Sequence, residues 1–273
     1  MTQSVAVITG GAGAMGVACA RSLAPTHRLL LAEVDQARLG SARDALARDG
    51  IEAAGQPCDV ADAGQVQALA DRAASMGELA ALVHTAGLSP TMAAGPRIWQ
   101  VNLVGTALLV EAFRPRASEG SVAVLIASQA GHLARRGVSV DVEALLDDPL
   151  TPELVERIGA LEPGFLESAG AYAGSKYGVI RLAEREAGHW GEVGARIVSL
   201  SPGIIDTGMG RQEYAQQPMM GAMVEATPLR RMGRDEEIAS VVAFLCSEAA
   251  SFVTGTDLLV DGGSTQAVLR GLG

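Results

Sequence analysis

The chain has 273 residues, a formal net charge of −10, 48% apolar residues and 33 glycines. That length suits a single domain with an ample core, and the acidic balance weighs against a nucleic-acid or anionic-membrane surface. No apolar run approaches the roughly 20 residues of a membrane span, and the N-terminus lacks a secretory pattern. Cys19, Cys58 and Cys246 follow neither a disulfide framework nor metal-ligand spacing, so reduced thiols, no bound metal and a cytoplasmic location are expected.

Ser4 to Ile8 reads as a short buried strand, followed at once by Thr9-Gly10-Gly11-Ala12-Gly13-Ala14-Met15-Gly16 and by a helix from Val17 to Leu23 that Pro25 stops. Small residues in such a turn let the backbone approach a pyrophosphate, whose charge the helix N-terminus stabilises. The next strand, Arg28 to Ala32, ends at Glu33 and Val34. Glu33 stands 17 positions past Gly16, where a carboxylate accepts both ribose hydroxyls of an adenosine and repels a 2′-phosphate. NAD is therefore expected over NADP, with Arg38 as the one nearby cation that weighs the other way. A helix over 36–48, a strand near 53–55, Cys58-Asp59-Val60, a helix over 62–76 and a continuous apolar strand over 79–83 follow, closed by His84-Thr85-Ala86-Gly87. This alternation predicts an α/β fold with a doubly wound, Rossmann-like parallel sheet, which binds ligands at the carboxyl ends of its strands.

A helix over 97–114 carries Trp99, Val101 and Asn102, and a strand over 121–127 ends at Ser128, a residue that at a strand end is often only a turn former. Residues 135–169 break the rhythm. Asp141 is expected to cap one short helix that Pro149 ends, and Thr151-Pro152-Glu153 to open another with Leu154, Val155, Ile158 and Leu161 on one face. Between Asp141 and Ser168 in this small helical insertion lie eight acidic residues and only Arg157 as a cation. Its apolar stripe must cover the segment around Met219–Met223, the helix bearing Tyr172, or a second subunit. That helix is expected to run to about Ala187, and it places Tyr172 and Lys176 four residues apart on one face. A free phenol, with a pKa of about 10, is a poor acid–base catalyst at neutral pH, and a neighbouring ammonium pulls that value down. A strand over 196–200 leads into Ser201-Pro202-Gly203-Ile204-Ile205-Asp206-Thr207. The stretch 207–229, with Met209, Met219, Met220 and Met223, fits no strong period and suits either an adaptable substrate pocket or plain packing. A helix over 235–247 and a strand over 258–260 complete the chain, which reads as one domain throughout.

Taken together, these pieces resemble the short-chain dehydrogenase/reductase family from Val5 to Gly263. Residues 9–16 are similar to its Thr-Gly-x-x-x-Gly-x-Gly fingerprint, with Ala14 in place of the middle glycine. The resemblance implies a cofactor site of Gly10, Gly13, Ala14, Met15, Gly16, Glu33 and Val34, with Asp59 and Val60 around the adenine. Thr85, Ala86 and Gly87 stand in its Asn-Asn-Ala-Gly turn, where His84-Thr85 replaces both amides. Pro202, Gly203, Ile205 and Thr207 resemble its nicotinamide clamp. Asn102, Ser128, Tyr172 and Lys176 fall in its catalytic order, which implies a proton-transferring Tyr172, a Lys176 that also holds the cofactor ribose, a Ser128 donating to the substrate oxygen, and an Asn102 that bends its helix and seats a water. Ser128 and Tyr172 are 44 positions apart, against about a dozen in most of the family, and in this the chain resembles bacterial hydroxysteroid dehydrogenase/carbonyl reductases. The implied activity is hydride transfer between NAD(H) and a secondary alcohol or ketone, with a bulky apolar substrate such as a hydroxysteroid or terpene alcohol, in a homodimer or homotetramer. A dinucleotide sensor with little turnover, and an epimerase or dehydratase that keeps its NAD, stay open as alternatives.

Overall fold

A computed structural model describes residues 4–216 and 219–271. The strands are β1 (Val5–Thr9), β2 (Arg28–Glu33), β3 (Ala53–Pro57), β4 (Leu79–His84), β5 (Val122–Ile126), β6 (Arg196–Pro202) and β7 (Asp257–Val260). They form one sheet in the order β3-β2-β1-β4-β5-β6-β7, and every neighbouring pair is parallel. The order reverses between β1 and β4, so the crevice that such sheets use for ligands opens there.

The helices of the first half are α1 (Ala14–Leu23), α2 (Gln36–Arg48), α3 (Ala63–Met76), α4 (Gly95–Trp99) and α5 (Gly105–Phe113). Those of the second half are α6 (Gln129–Ala134), α7 (Val140–Leu146), α8 (Leu154–Leu161), α9 (Ser168–Gly191), α10 (Gly208–Gln216), α11 (Met219–Ala226), α12 (Asp235–Leu245) and α13 (Ser264–Leu269). Side chains alternate across each strand. Val5 and Val7 therefore enter one core with α3, α5 and α9, while Ala6 and Ile8 enter the other with α1, α2 and α12. Strands buried on both faces explain the unbroken apolar runs in the sequence.

Several boundaries differ from the sequence-based expectation. The first helix begins at Ala14 rather than Val17, because its first turn grows directly out of the glycine loop. The helix through Asn102 is interrupted by a π turn, Gln100–Val104, between α4 and α5. Helix α9 extends to Gly191, past the expected Ala187, and α12 stops at Leu245. Two short helices, α6 and α13, were not foreseen, and the stretch after Thr207 folds as α10 and α11.

The insertion is part of the main core. Ser139, not Asp141, caps α7 by accepting from the Val142 N–H, since Asp141 falls inside the first turn. Glu153 precedes α8 at φ 58° with no side-chain cap, so Thr151-Pro152-Glu153 does not open the helix as a cap. Val142, Leu146, Leu154, Val155 and Ile158 join the core shared with α9, whereas Leu161 is 46% exposed. Tyr177 donates to the Glu143 carboxylate at 2.5 Å, and Arg181 grips Asp147 through bonds of 2.8 and 2.7 Å. Helix α7 packs on the helix bearing Tyr172, and α8, which carries the stripe, packs mainly on α7 and on the turn over 163–166.

Candidate active site

The loops after β1, β2, β4, β5 and β6 gather at one edge of the sheet. Gly10 turns at φ +64°, and a Cβ there would lie 2.6 Å from the Ala86 nitrogen. At Gly16 a Cβ would lie 2.4 Å from the Gly10 oxygen, so α1 packs against its own loop at a distance only glycine allows. Ala14 stands exposed at the first position of α1 and adds bulk only on the open side. The first amides of that helix have no acceptor within it, which suits them to a phosphate.

A cavity of about 210 Å³ extends from Gly10 and Gly13 past Glu33, Val34, Cys58, Asp59 and Val60 to Thr85, Ala86 and Gly87. Glu33 is buried at the tip of β2, and one carboxylate oxygen accepts from the Val34 N–H at 3.1 Å. Arg38 approaches the other oxygen to 3.8 Å. Val34 is 62% exposed and offers a bare apolar face at the mouth. Asp59 already receives the Ala61 N–H at 2.9 Å and Arg97 at 2.7 Å, so an adenine amino group would have to share a carboxylate with a guanidinium. Arg97 carries no motif and sits 38 positions from its partner, so no local signal marks it.

Thr85, Gly87, Leu88 and Met209 also line a second cavity of about 200 Å³, so the two form one groove. This second part holds Ser128, Tyr172 and Lys176 together with Met15, Pro202, Gly203, Ile205 and Thr207. Ser128 caps α6, its Oγ accepting from the Ala130 N–H at 3.2 Å, which leaves its own proton for donation. Lys176 is buried and donates from Nζ to the Ile126 oxygen at 2.7 Å; burial pushes its pKa down to about 8. Thr207 Oγ1 accepts from the Gly210 N–H at 3.0 Å and fixes the start of α10. Met209, Met220 and Met223 supply apolar wall, while the side chain of Met219 lies outside the described residues. Among the described residues, none between 135 and 169 lines this cavity.

Asn102 sits in the π turn but reaches the groove through the loop it holds. Its Oδ1 accepts from the Leu88 N–H at 2.8 Å, and its Nδ2 donates to the Leu88 oxygen at 2.9 Å. His84, which replaces an amide of the family turn, is fully buried between Thr9 Oγ1 at 2.7 Å and Thr106 Oγ1 at 2.8 Å. Thr106 donates its only proton to the Asn102 oxygen at 2.6 Å. Its Oγ1 must then accept from His84 Nε2–H, which leaves Nδ1 to accept from Thr9. Burial, with a lesser contribution from Lys176, pushes the imidazole down to about 3, so the ring is neutral. The unusual His84 was visible in the sequence; its partners were not.

The glycine turn, the free helix amides, the carboxylate at the tip of β2 and the run of one groove from Glu33 to Tyr172 fit a nicotinamide dinucleotide. Comparisons with known proteins agree at the level of family. Residues 4–140 match the family model described as short chain dehydrogenase, and residues 161–265 match one described as Enoyl-(Acyl carrier protein) reductase. The chain is 34% identical over 272 residues to a short-chain dehydrogenase/reductase, bsc3, of Alternaria brassicicola, covering 99% of this chain and 98% of that one. It is 35% identical over 217 residues to a 3-alpha-hydroxysteroid dehydrogenase/carbonyl reductase of Comamonas testosteroni, covering 76% and 80%. The crystal structure of a levodione reductase superposes with a TM-score of 0.77 at 27% identity, covering 98% and 99%.

Proposed function

The chain belongs to the short-chain dehydrogenase/reductase family, and from that premise we propose that it is an NAD-dependent dehydrogenase of an apolar secondary alcohol, and a reductase of the matching ketone. Oxidoreductase action on alcohols and ketones comes with the family. The observation that carries the finer reading is the meeting of Ser128, Tyr172 and Lys176 in one apolar-walled cavity, continuous with a groove that ends at Glu33.

When bound, the nicotinamide supplies or takes up the hydride. Tyr172 moves the proton at the substrate oxygen, giving it in reduction and removing it in oxidation. Lys176 is mainly ammonium at neutral pH, and its charge favours the phenolate form. Ser128 donates to the same oxygen and stabilises the charge that grows there. Asn102 holds the shared wall at Leu88 and bends its own helix through the π turn. Gly10, Gly13, Ala14, Met15 and Gly16 cradle the pyrophosphate. Glu33, Val34, Asp59 and Val60 take the adenosine, with Thr85, Ala86 and Gly87 along the middle. Pro202, Gly203, Ile205 and Thr207 hold the nicotinamide end.

Preference for NAD rests on Glu33, whose buried carboxylate faces the ribose end of the groove. The relative and the neighbour named above act, by their names, on a hydroxysteroid and on levodione. A cavity of about 200 Å³ lies below the usual ligand-pocket range of about 300–1,000 Å³. It supports a compact cyclic or terpene-like alcohol over a four-ring steroid while α10 and α11 keep their places. Assembly as a homodimer or homotetramer in the cytoplasm completes the proposal; the wholly exposed Phe252, with Phe244 nearby in sequence, gives association an apolar surface to cover. The test is NADH absorbance across cyclic alcohols, terpene alcohols, hydroxysteroids and small ketones, run in parallel with NADP. Net NADH formation from a cyclic or terpene alcohol is expected, and its absence across the whole panel would overturn the reading.

A further inference from the structure

The helix that Ser128 caps is too short to hold its own place. α6 has six residues, and an isolated helix of that length is not stable in water. On one side it lies directly on α9, where a Cβ at Gly131 would stand 2.8 Å from the Lys176 carbonyl carbon and the Tyr177 nitrogen. On another side His132 donates from Nε2 to Asp257 Oδ2 at 2.7 Å. Asp257 lies on β7, paired in register with Ser199 of β6, and its side chain is 5% exposed. Its other oxygen accepts from Ser199 Oγ at 2.6 Å and from Ser201 Oγ at 3.0 Å. Both hydroxyls are fully buried on one face of their strand. A buried carboxylate is costly unless it is hydrogen-bonded, and three donors converge on this one. Neither His132 nor Asp257 lines either half of the groove.

We propose that His132 is a positioning residue for Ser128, acting through α6 by its bond to Asp257. This deepens the dehydrogenase reading and rests on it. Successive helical residues point about 100° apart, so Gly131 and His132 meet different neighbours. The contact at Gly131 fixes how near α6 comes to the helix bearing Tyr172, but by itself it leaves α6 free to roll. The bond from His132 to the sheet removes that freedom one turn beyond Ser128, and so fixes where the Ser128 hydroxyl points. The anchor holds with the imidazole neutral or protonated, because Nε2 can carry a hydrogen in both forms. His132 itself moves neither proton nor hydride. A misplacement of about 1 Å in a reacting group costs about 10²-fold in rate, so a residue outside the cavity can command an effect of that size.

The test uses three substitutions, each made in the wild type and in a Ser128→Ala background. His132→Leu removes the donor, His132→Asn holds an amide too short to reach Asp257, and His132→Gln brings an amide N–H close to the place of Nε2. kcat and KM are measured on the alcohol that the wild type turns over best, NAD affinity is measured separately, and deuterium exchange reads the amides of α6 and α9. In the wild-type background Leu and Asn should lower kcat by about tenfold or more, with KM and NAD affinity within about twofold, and Gln should restore most of the loss. In Ser128→Ala, whose residual turnover should be about 10²–10³-fold lower, the same substitutions should change kcat by less than about twofold, since the hydroxyl they misplace is already gone. Exchange protection of α6 should fall in His132→Leu while that of α9 holds. Equal kcat losses in both backgrounds would overturn the inference and mark His132 as a residue of general stability. Wild-type kcat in His132→Leu, or unchanged α6 protection, would overturn it too. If the wild type turns over no alcohol, the dehydrogenase reading fails, and α6 exchange still decides the anchor: lost protection in His132→Leu keeps it and unchanged protection defeats it.

Discussion

Lys176 donates to the main-chain oxygen of Ile126 at 2.7 Å, so the ammonium four residues from Tyr172 is anchored on β5, not on a carboxylate. Burial without a neutralising partner is what pushes its pKa down to about 8. The charge is present below that value and lost above it. On the proposed mechanism Tyr172 acts as an acid beside this ammonium in the reductive direction, so kcat/KM for ketone reduction should fall about tenfold per pH unit above about 8. Lys176→Arg keeps its charge through that range and should lose this descending limb, at reduced activity. A wild-type profile that stays flat from pH 8 to 10 would separate Lys176 from the chemistry.

Tyr172→Phe removes the transferable proton and keeps the ring. Turnover should drop by about 10²-fold or more, in line with general acid–base contributions, while NAD affinity is retained. Near-normal kcat on the best substrate would assign the proton transfer to another group.

Glu33 and Arg38 oppose one another at the ribose end, 3.8 Å apart. The wild type should favour NAD because the carboxylate is buried on the groove and the guanidinium is half in solvent. Glu33→Arg should move the ratio of kcat/KM values toward NADP by at least tenfold, removing a repulsion and adding a phosphate partner. A wild type that already prefers NADP would show that Arg38 outweighs Glu33.

His84 gives the fold an acid-sensitive centre. Its folded pKa of about 3 lies below the unfolded value near 6.5, so the unfolded chain binds the extra proton between those limits. Its contribution to stability is complete above about pH 6.5 and is lost as pH falls toward 3, at about 1.4 kcal/mol per pH unit. His84→Gln keeps a donor and an acceptor but cannot titrate. Urea unfolding between pH 4 and 8 should show a shallower slope for that variant, and identical slopes would place the acid sensitivity elsewhere.

The insertion should matter for stability more than for substrate entry. Ile158 is fully buried in the core shared with α9, and no residue of 135–169 touches the reacting cavity among those described. Ile158→Ala should cost about 2–5 kcal/mol in unfolding free energy while KM for a well-turned-over alcohol stays within about twofold. A large rise in KM with little loss of stability would instead make the lobe part of the substrate entrance.

The parts of this molecule that the sequence revealed are those with local signals. Six of the seven strands were legible because each is a short, mostly apolar run bounded by turn residues, and β3, Ala-Ala-Gly-Gln-Pro, only by its place in the alternation; Glu33, Ser128 and Tyr172 stood out because each follows such a run or stands on a periodic helix. The π turn at Asn102 has no local mark, since Gln-Val-Asn-Leu-Val contains no glycine or proline, and only the family resemblance implied a bend there. Helix α6 was too short to show a period. The Asp59–Arg97 pair, the Thr9–His84–Thr106 chain and the insertion's grip on Arg181 join residues far apart in sequence. Such pairings follow from how helices land on a sheet, and composition carries no trace of them.

Asn102 meets both the N–H and the oxygen of Leu88, as a neighbouring strand would, while the Leu88 side chain belongs to the walls of both halves of the groove. The backbone there is pinned independently of what the side chain is. For protein engineering this makes position 88 an adjustable peg in a fixed socket. Smaller or larger residues can be tried there to retune the fit of dinucleotide and substrate together, with the turn itself left undisturbed.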